Sequence, residues 1–189
     1  MTSPASLDSG SRTSFRAPVV LCVCVVLQGL CLTWTFLSMR AVMAVGGACA
    51  DGGPYVSAQP CPDGAVLIAV AIPVLIISAM VGTFAAVSLN APNLLLPMWA
   101  VLFGTLGWNF LEFAFTATDG IVWGWLVCGV LFELMALPAV VAVFQGVREM
   151  VEPPENRTTP VGSVWWVPAY GVLGALGLVL GWWGFYALS

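Results

Sequence analysis

Residues 18–45 read PVVLCVCVVLQGLCLTWTFLSMRAVMAV, and Arg40 is the only charged residue among them. A helix needs about 20 consecutive apolar residues to cross the roughly 30 Å hydrocarbon layer of a bilayer, and this stretch is longer than that. It is also longer than the apolar core of a cleavable signal peptide, which has about 7–15 residues. We therefore predict a membrane-spanning helix over residues 17–45.

Further apolar stretches of similar length follow along the chain, at residues 64–89, 97–117, 121–147 and 163–187. Of the 189 residues, 60% are apolar and 7% are charged, whereas about 25% of the residues of soluble domains are charged. This composition excludes a soluble fold. It predicts an all-α membrane protein, a bundle of five transmembrane helices over residues 17–187, preceded by a disordered cytoplasmic tail at residues 1–16.

The arginines predict the orientation of the bundle, because short loops rich in Arg stay in the cytoplasm. Four of them fall on one side, Arg12, Arg16, Arg148 and Arg157, and Arg40 falls on the other. This places the N-terminus inside and the C-terminus outside. Tryptophans favour membrane interfaces, and they lie at the predicted inner ends (Trp99, Trp165, Trp166) and outer ends (Trp123, Trp125, Trp182, Trp183).

The charge pattern narrows the possible functions. The five cationic residues are all Arg and are scattered, so the chain has no basic patch for nucleic acid. It contains no His, which excludes His-ligated zinc or haem and nucleophile pairs with a His base. We predict no catalytic residues, no metal and no cofactor, and we favour a protein that is not an enzyme.

Cys49 and Cys61 lie in the Gly- and Pro-rich segment 46–63, which we predict to be an exported loop. The eleven residues between them allow the two sulfurs to meet, so we predict a structural disulfide that stabilises the loop by about 2–3 kcal/mol. A redox role is the alternative, although the pair lacks Cys-x-x-Cys spacing. Small apolar packing is predicted for the other four cysteines, Cys22, Cys24, Cys31 and Cys128.

Glu112 and Glu133 are the strongest functional candidates, because a carboxylate inside a membrane costs about 2.5 kcal/mol or more and persists mainly beside a partner or a cavity. Counting residues places Glu112 in the outer half of the third span and Glu133 near the midplane. They form either a proton, cation or polar ligand site, or a packing contact. In the packing interpretation, Asn109, Gln28 or Arg40 would bond to them.

Spacings of three to four place Trp108, Asn109 and Thr116 on the same helical face as Glu112. Arg40 is predicted at the outer membrane boundary, where its side chain either extends to the head groups or pairs with Glu112. We favour the head groups.

The fifth span carries glycines at steps of three or four residues: Gly171, Gly174, Gly177, Gly181 and Gly184. They are predicted to line one helix-packing face, with Gly177 and Gly181 as a small-xxx-small contact. The partner helix belongs either to this chain or to another protein.

The exported loop combines Gly46-Gly47-Ala48-Cys49, Gly52-Gly53-Pro54-Tyr55-Val56 and Pro60-Cys61-Pro62-Asp63-Gly64. In this it resembles a loop of uncharacterised multi-spanning membrane proteins of actinobacteria. The resemblance covers under a tenth of the chain and implies a bacterial cell membrane and a structured loop, with no activity attached.

Together these features predict a non-catalytic integral membrane protein, an accessory or interaction subunit of a membrane complex. Its partners would be the lipid bilayer and another membrane subunit or further copies of itself, with no nucleic acid. The alternative is a small transporter or ion- or proton-conducting protein that uses Glu112 and Glu133. A thiol oxidoreductase or a lipid-modifying enzyme is the third possibility.

Overall fold

A computed structural model describes residues 16–49, 59–116, 120–151 and 165–188. All regular structure within these residues is helical: α1 is Arg16–Ala44, α2 Leu67–Ser88, α3 Leu95–Thr116, α4 Trp123–Val151 and α5 Trp166–Leu188. Each of the five helices is long and apolar enough to cross a membrane. The predicted all-α class with five candidate spans is therefore confirmed for this part of the chain.

Several predicted features lie outside the described residues. They are the tail before Arg16, the middle of the exported loop at residues 50–58, the turn residues Thr118 and Asp119, and most of the charged segment 148–162. Arg12 and Arg157, used to predict the orientation, lie outside them as well.

The helix bounds fall within four residues of the predicted spans. α2 begins three residues late because residues 62–66 form separate turns, in which the Ala65 N–H donates to the Pro62 carbonyl. α3 begins two residues early because Asn93 Oδ1 accepts a hydrogen bond from the Leu95 N–H at 2.7 Å and caps the helix. Pro97 is thus in the first turn of α3, where its missing N–H costs little.

α1 is the central helix and packs against α2, α3 and α5, whereas α4 packs mainly against α3. The chain reverses after each helix, so one end of the bundle carries the last residues of α1, α3 and α5 and the first of α2 and α4. We call it the disulfide end.

Close packing of α1 on α2 follows a stripe of buried α1 residues at alternating steps of three and four: Leu21, Cys24, Gln28, Cys31, Thr35 and Ser38. The facing α2 residues are mostly small, among them Ala71, Ala79, Gly82 and Ala86. Small side chains let transmembrane backbones approach, and this seam forms much of the buried core.

At the disulfide end, α1 stops at two glycines with positive φ, Gly46 at 100° and Gly47 at 83°. The Gly47 N–H donates to the Val42 carbonyl at 3.0 Å and the Gly46 N–H to the Met43 carbonyl at 3.1 Å. This is the bonding pattern of a helix end closed by a left-handed glycine. It turns the chain toward α2.

Candidate functional site

The predicted disulfide is confirmed, with a Cα–Cα distance of 4.8 Å between Cys49 and Cys61. It links the segment after α1 to the segment before α2. Close by, the Ser38 hydroxyl donates to the Gly64 carbonyl at 2.8 Å. The covalent bond and this hydrogen bond both fix the start of α2 against α1.

Arg40 and Glu112 form a bidentate ion pair between α1 and α3. Arg40 Nη1 lies 2.5 Å from Glu112 Oε2, and Nη2 lies 2.7 Å from Oε1. About a third of each side chain is exposed, 34% and 32%. Two parallel bonds fix both position and orientation, which a single contact does not.

Asn109 completes this cluster from a fully buried position on α3. Its Oδ1 accepts a hydrogen bond from Arg40 Nη1 at 3.2 Å, and its Nδ2 donates to the Phe36 carbonyl at 3.4 Å. The Arg40 guanidinium also lies 5.7 Å from the ring centre of Phe36 and 5.5 Å from that of Phe113. The cation is thus held by a carboxylate, an amide and two aromatic rings.

The cluster lies close to the disulfide end, because Arg40 and Glu112 are each four residues, about 6 Å, from the end of their helix. The sequence favours an Arg40 side chain that extends to the head groups, and this prediction is wrong. The structure instead shows the pairing with Glu112, since this carboxylate reaches the same level and supplies two acceptors inside the protein.

Glu133 occupies a different place, about 15 Å along α4 from Trp123. Its half-buried side chain lies against α3 at Gly107, where an added Cβ would come within 2.8 Å of the Glu133 carboxyl. Among the described residues, none donates a hydrogen bond to this carboxyl or forms an ion pair with it. Glu133 is therefore an acid without a partner in the described part of the chain, well inside a candidate membrane span.

The two glutamates do not form one site. Gly107 and Glu112 are five residues apart on α3, which corresponds to about 7.5 Å of rise and a rotation of about 140°. Glu112 faces α1 and Glu133 contacts the α4 side of α3. The structure thus brings together Arg40, Asn109 and Glu112 and leaves Glu133 apart.

Of the other predicted neighbours of the glutamates, Trp108 lies near enough for its indole N–H to interact with the Glu112 carboxyl, whereas Thr116 and Gln28 are not carboxyl partners. Thr116 donates to the backbone carbonyl of Glu112 at 2.9 Å, and the Trp108 side chain is 61% exposed. Gln28 is buried twelve residues before Arg40, about 18 Å away along α1. Its Nε2 has no hydrogen-bond partner within the described residues.

The glycines of α5 divide into two groups. An added Cβ at Gly177 would collide with the Val26 carbonyl oxygen, and one at Gly181 would lie 2.8 Å from the Leu30 carbonyl oxygen. The partner helix at these positions is therefore α1 of the same chain, and Gly184 lies beside Trp34 in the same seam. At Gly171 and Gly174, an added Cβ would meet no atom within 4 Å.

Polar bonds reinforce the seam between α1 and α5. The Trp34 indole N–H donates to the Gly181 carbonyl at 3.0 Å, and the Thr33 hydroxyl lies 3.4 Å from the Leu178 carbonyl oxygen. Of the other cysteines, Cys24 and Cys31 are buried, Cys22 is partly buried and Cys128 is exposed.

Sequence reasoning overlooked Gly107, the residue that makes room for Glu133. The signal was present, because both residues lie thirteen positions from Gly120, in the turn of the α3–α4 hairpin. Leu111 and Gly129 are each nine positions from Gly120, and they also pack together. Counting outward from the tight hairpin turn therefore pairs Gly107 with Glu133 and Leu111 with Gly129.

Comparison of the chain with protein-family models, curated proteins and solved structures finds no match.

Proposed function

We propose that this protein is a non-catalytic integral membrane protein that acts as an accessory or interaction subunit of a membrane complex. The observation that carries the proposal is Glu133, an acid about 15 Å into a candidate span with no partner in the described chain. A partner helix that donates a hydrogen bond or a positive charge would remove the cost of this carboxyl.

The Arg40–Glu112 pair supports the same proposal. A site that binds and releases cations needs a carboxylate that is accessible to the ion, whereas Glu112 already accepts two charge-assisted bonds from Arg40. Its geometry is that of a clamp between α1 and α3. Rigid packing of this kind suits a protein that works by presenting a surface.

A small transporter or proton-conducting protein is the second candidate, and the same carboxyl favours it. An unpaired acid near mid-membrane is also the group expected on a proton or ion path. In this alternative Glu133 binds the proton or ion and Glu112 holds the helices together.

For orientation and location, we propose a bacterial cell membrane with the N-terminus in the cytoplasm. The arginine distribution supports the orientation, and the resemblance of the Cys49–Cys61 loop to actinobacterial membrane proteins supports the location. A reagent that cannot cross the membrane, added to intact cells, should modify a lysine introduced at Gln59 and spare one introduced at Arg16.

The experiment compares Glu133→Leu and Glu133→Gln with wild type after extraction from the native host in a mild detergent. For a subunit, we expect Glu133→Leu to lose the co-purifying chain and Glu133→Gln to retain part of it, since the amide still forms hydrogen bonds. Cys128→Ala, at an exposed position of α4, is the matched control and should retain the partner.

The same variants in proteoliposomes test the alternative. A wild-type proton or cation flux that Glu133→Gln abolishes and Cys128→Ala preserves would favour the transporter. Full retention of a partner by Glu133→Leu would contradict the role that we assign to this carboxyl.

A further inference from the structure

Two cavities lie on the α5 side of the α3–α4 hairpin. The first, of about 350 Å³, is at the end opposite the disulfide, and its walls include Asn93, Leu96, Val143, Gly146, Val167 and Tyr170. The second, of about 280 Å³, lies further into the bundle, between Thr33 and Phe36 of α1, Val101 and Thr105 of α3, and Leu178 and Trp182 of α5.

The two open glycines of α5 lie between these cavities along the helix. Successive helical residues turn by about 100°, so Gly171 and Gly174 fall within the same arc of about 60° as the lining residues Val167 and Leu178. No atom lies within 4 Å of a Cβ built on either glycine. We call the two cavities, together with the open face of α5 between them from Val167 to Trp182, the α5 cleft.

The polar groups of the α5 cleft are largely satisfied within the chain. The Tyr170 hydroxyl donates to the Pro92 carbonyl at 3.0 Å, Thr33 to the Gly29 carbonyl at 3.0 Å, and Thr105 to the Val101 carbonyl at 2.7 Å. With these hydroxyls engaged, the walls present mainly apolar side chains. The cleft therefore favours an apolar occupant.

Neither cavity is large enough to enclose a further helix. A transmembrane helix about 10 Å wide and 30 Å long displaces on the order of 2,000 Å³, several times the volume of both cavities together. The cleft is narrow and long, since Val167 and Trp182 are fifteen residues or about 22 Å apart. One leaflet of the hydrocarbon layer is about 15 Å deep, so an acyl chain that starts beside Val167 covers about ten residues of α5, including Gly171 and Gly174.

A polar group marks the mouth of the α5 cleft. Asn93 is exposed there, and its Oδ1 accepts a hydrogen bond from the Leu95 N–H and lies 3.1 Å from the Thr83 hydroxyl oxygen, whose proton is donated to the Ala79 carbonyl at 2.8 Å. Its amide NH₂ has no acceptor among the described residues. We propose that the α5 cleft binds one membrane phospholipid, with an acyl chain along Gly171 and Gly174 and an ester or phosphate oxygen at the Asn93 amide.

The test uses glycines whose Cβ positions are open, so that a larger side chain fills space without a clash. Gly171→Leu and Gly146→Leu fill the α5 cleft, and Gly124→Leu adds the same side chain elsewhere on α4, outside either cavity. Each purified, delipidated variant is titrated with dioleoyl phosphatidylglycerol in detergent, and bound lipid is counted by native mass spectrometry.

We expect wild type and Gly124→Leu to retain one lipid, and both cleft variants to bind it about tenfold more weakly. Asn93→Asp keeps the Oδ that caps α3 and loses the amide donor, so it should weaken phosphatidylglycerol binding while α3 stays capped.

Equal lipid retention by all variants would overturn the proposal, since it would mean unspecific surface lipid only. A dimer that Gly171→Leu converts to a monomer with unchanged lipid would also overturn it, in favour of a second copy in the cleft. Thermal unfolding of each variant verifies that a loss of lipid is not a loss of fold.

Discussion

Individual charged side chains in this protein differ mainly in whether they have a partner. Arg40 and Glu112 compensate each other in a partly exposed pair, and Asn109 ties them to buried backbone. Glu133 has only the space that Gly107 leaves and no donor in the described chain. This contrast separates a structural ion pair from a candidate contact site.

Arg40→Gln should lower the free energy of unfolding by about 1–3 kcal/mol, between the values for exposed and buried pairs, because it leaves the Glu112 carboxylate without its cation. Glu112→Gln should cost less, since Arg40 can still donate to the amide oxygen. The measurement is reversible unfolding in mixed detergent. If the pair is the clamp, the double variant loses less than the two single losses added together; strictly additive losses would contradict it.

Residue-scale prediction succeeded where spacing along one helix decides the outcome and failed where it does not. Asn109 and Glu112 were correctly placed near each other from their helical spacing. Whether Arg40 reaches the head groups or pairs with Glu112 depends on the shift of α1 relative to α3 along the helix axes. A single sequence does not determine this shift. The contact between Gly107 and Glu133 was not predicted, because it becomes visible only when the residues of α3 and α4 are counted outward from the turn between the two helices.

Among the helices, backbone distance determines the strongest contact between α1 and α5. The helices approach so closely at Gly177 that a Cβ there meets the Val26 carbonyl and the backbone around Gly29. This approach brings the Trp34 indole within hydrogen-bond distance of the Gly181 carbonyl. Six residues before Gly177, a Cβ built on Gly171 meets open space and no atom of α1.

The two glycines therefore give opposite results when each is changed to Ala. Gly177→Ala should destabilise the protein by about 1–3 kcal/mol, because the obstacle is backbone that can move only if α1 and α5 separate. Gly171→Ala should be neutral or stabilise by up to about 1 kcal/mol through helix propensity. The measurement is the free energy of unfolding of both variants under the same conditions. Equal losses would contradict the close contact of α1 and α5 at Gly177.

Helix positions were predicted well because Gly, Pro, Asn and charged residues interrupt the apolar stretches. The neighbours of each helix were not predicted, since helices that are apolar on every side carry no polar stripe to indicate the buried face. Regular glycine spacing in α5 indicated a packing face, but it did not show that α1 covers Gly177 and Gly181 while Gly171 stays open.

At the level of the whole molecule, α1 is the central helix of the bundle, and α4 and α5 are outer helices. α1 contacts three helices, while α4 packs mainly on α3 and α5 mainly on α1. The outer helices present broad apolar surfaces, which lipid covers in a membrane. Glu133 belongs to one of these outer helices and, although it packs against α3 at Gly107, its side chain stays partly exposed, so a partner chain can contact it without disturbing the centre.

Composition and helix length were enough to predict an all-helical chain with five candidate membrane spans, because the apolar stretches are each long enough to cross a bilayer and only 7% of the residues are charged. They could not predict the α5 cleft. It depends on α3 and α5 both packing on α1 without closing on each other, which is a property of the assembled bundle.

The most direct test of the proposed subunit role is the mass and composition of the wild-type particle, extracted from its native membrane together with surrounding lipid and without detergent. We predict a particle that contains this chain and a different membrane protein in fixed stoichiometry. A particle that holds this chain alone, as monomer or homo-oligomer, would contradict the subunit role and favour Glu133 as a transport residue.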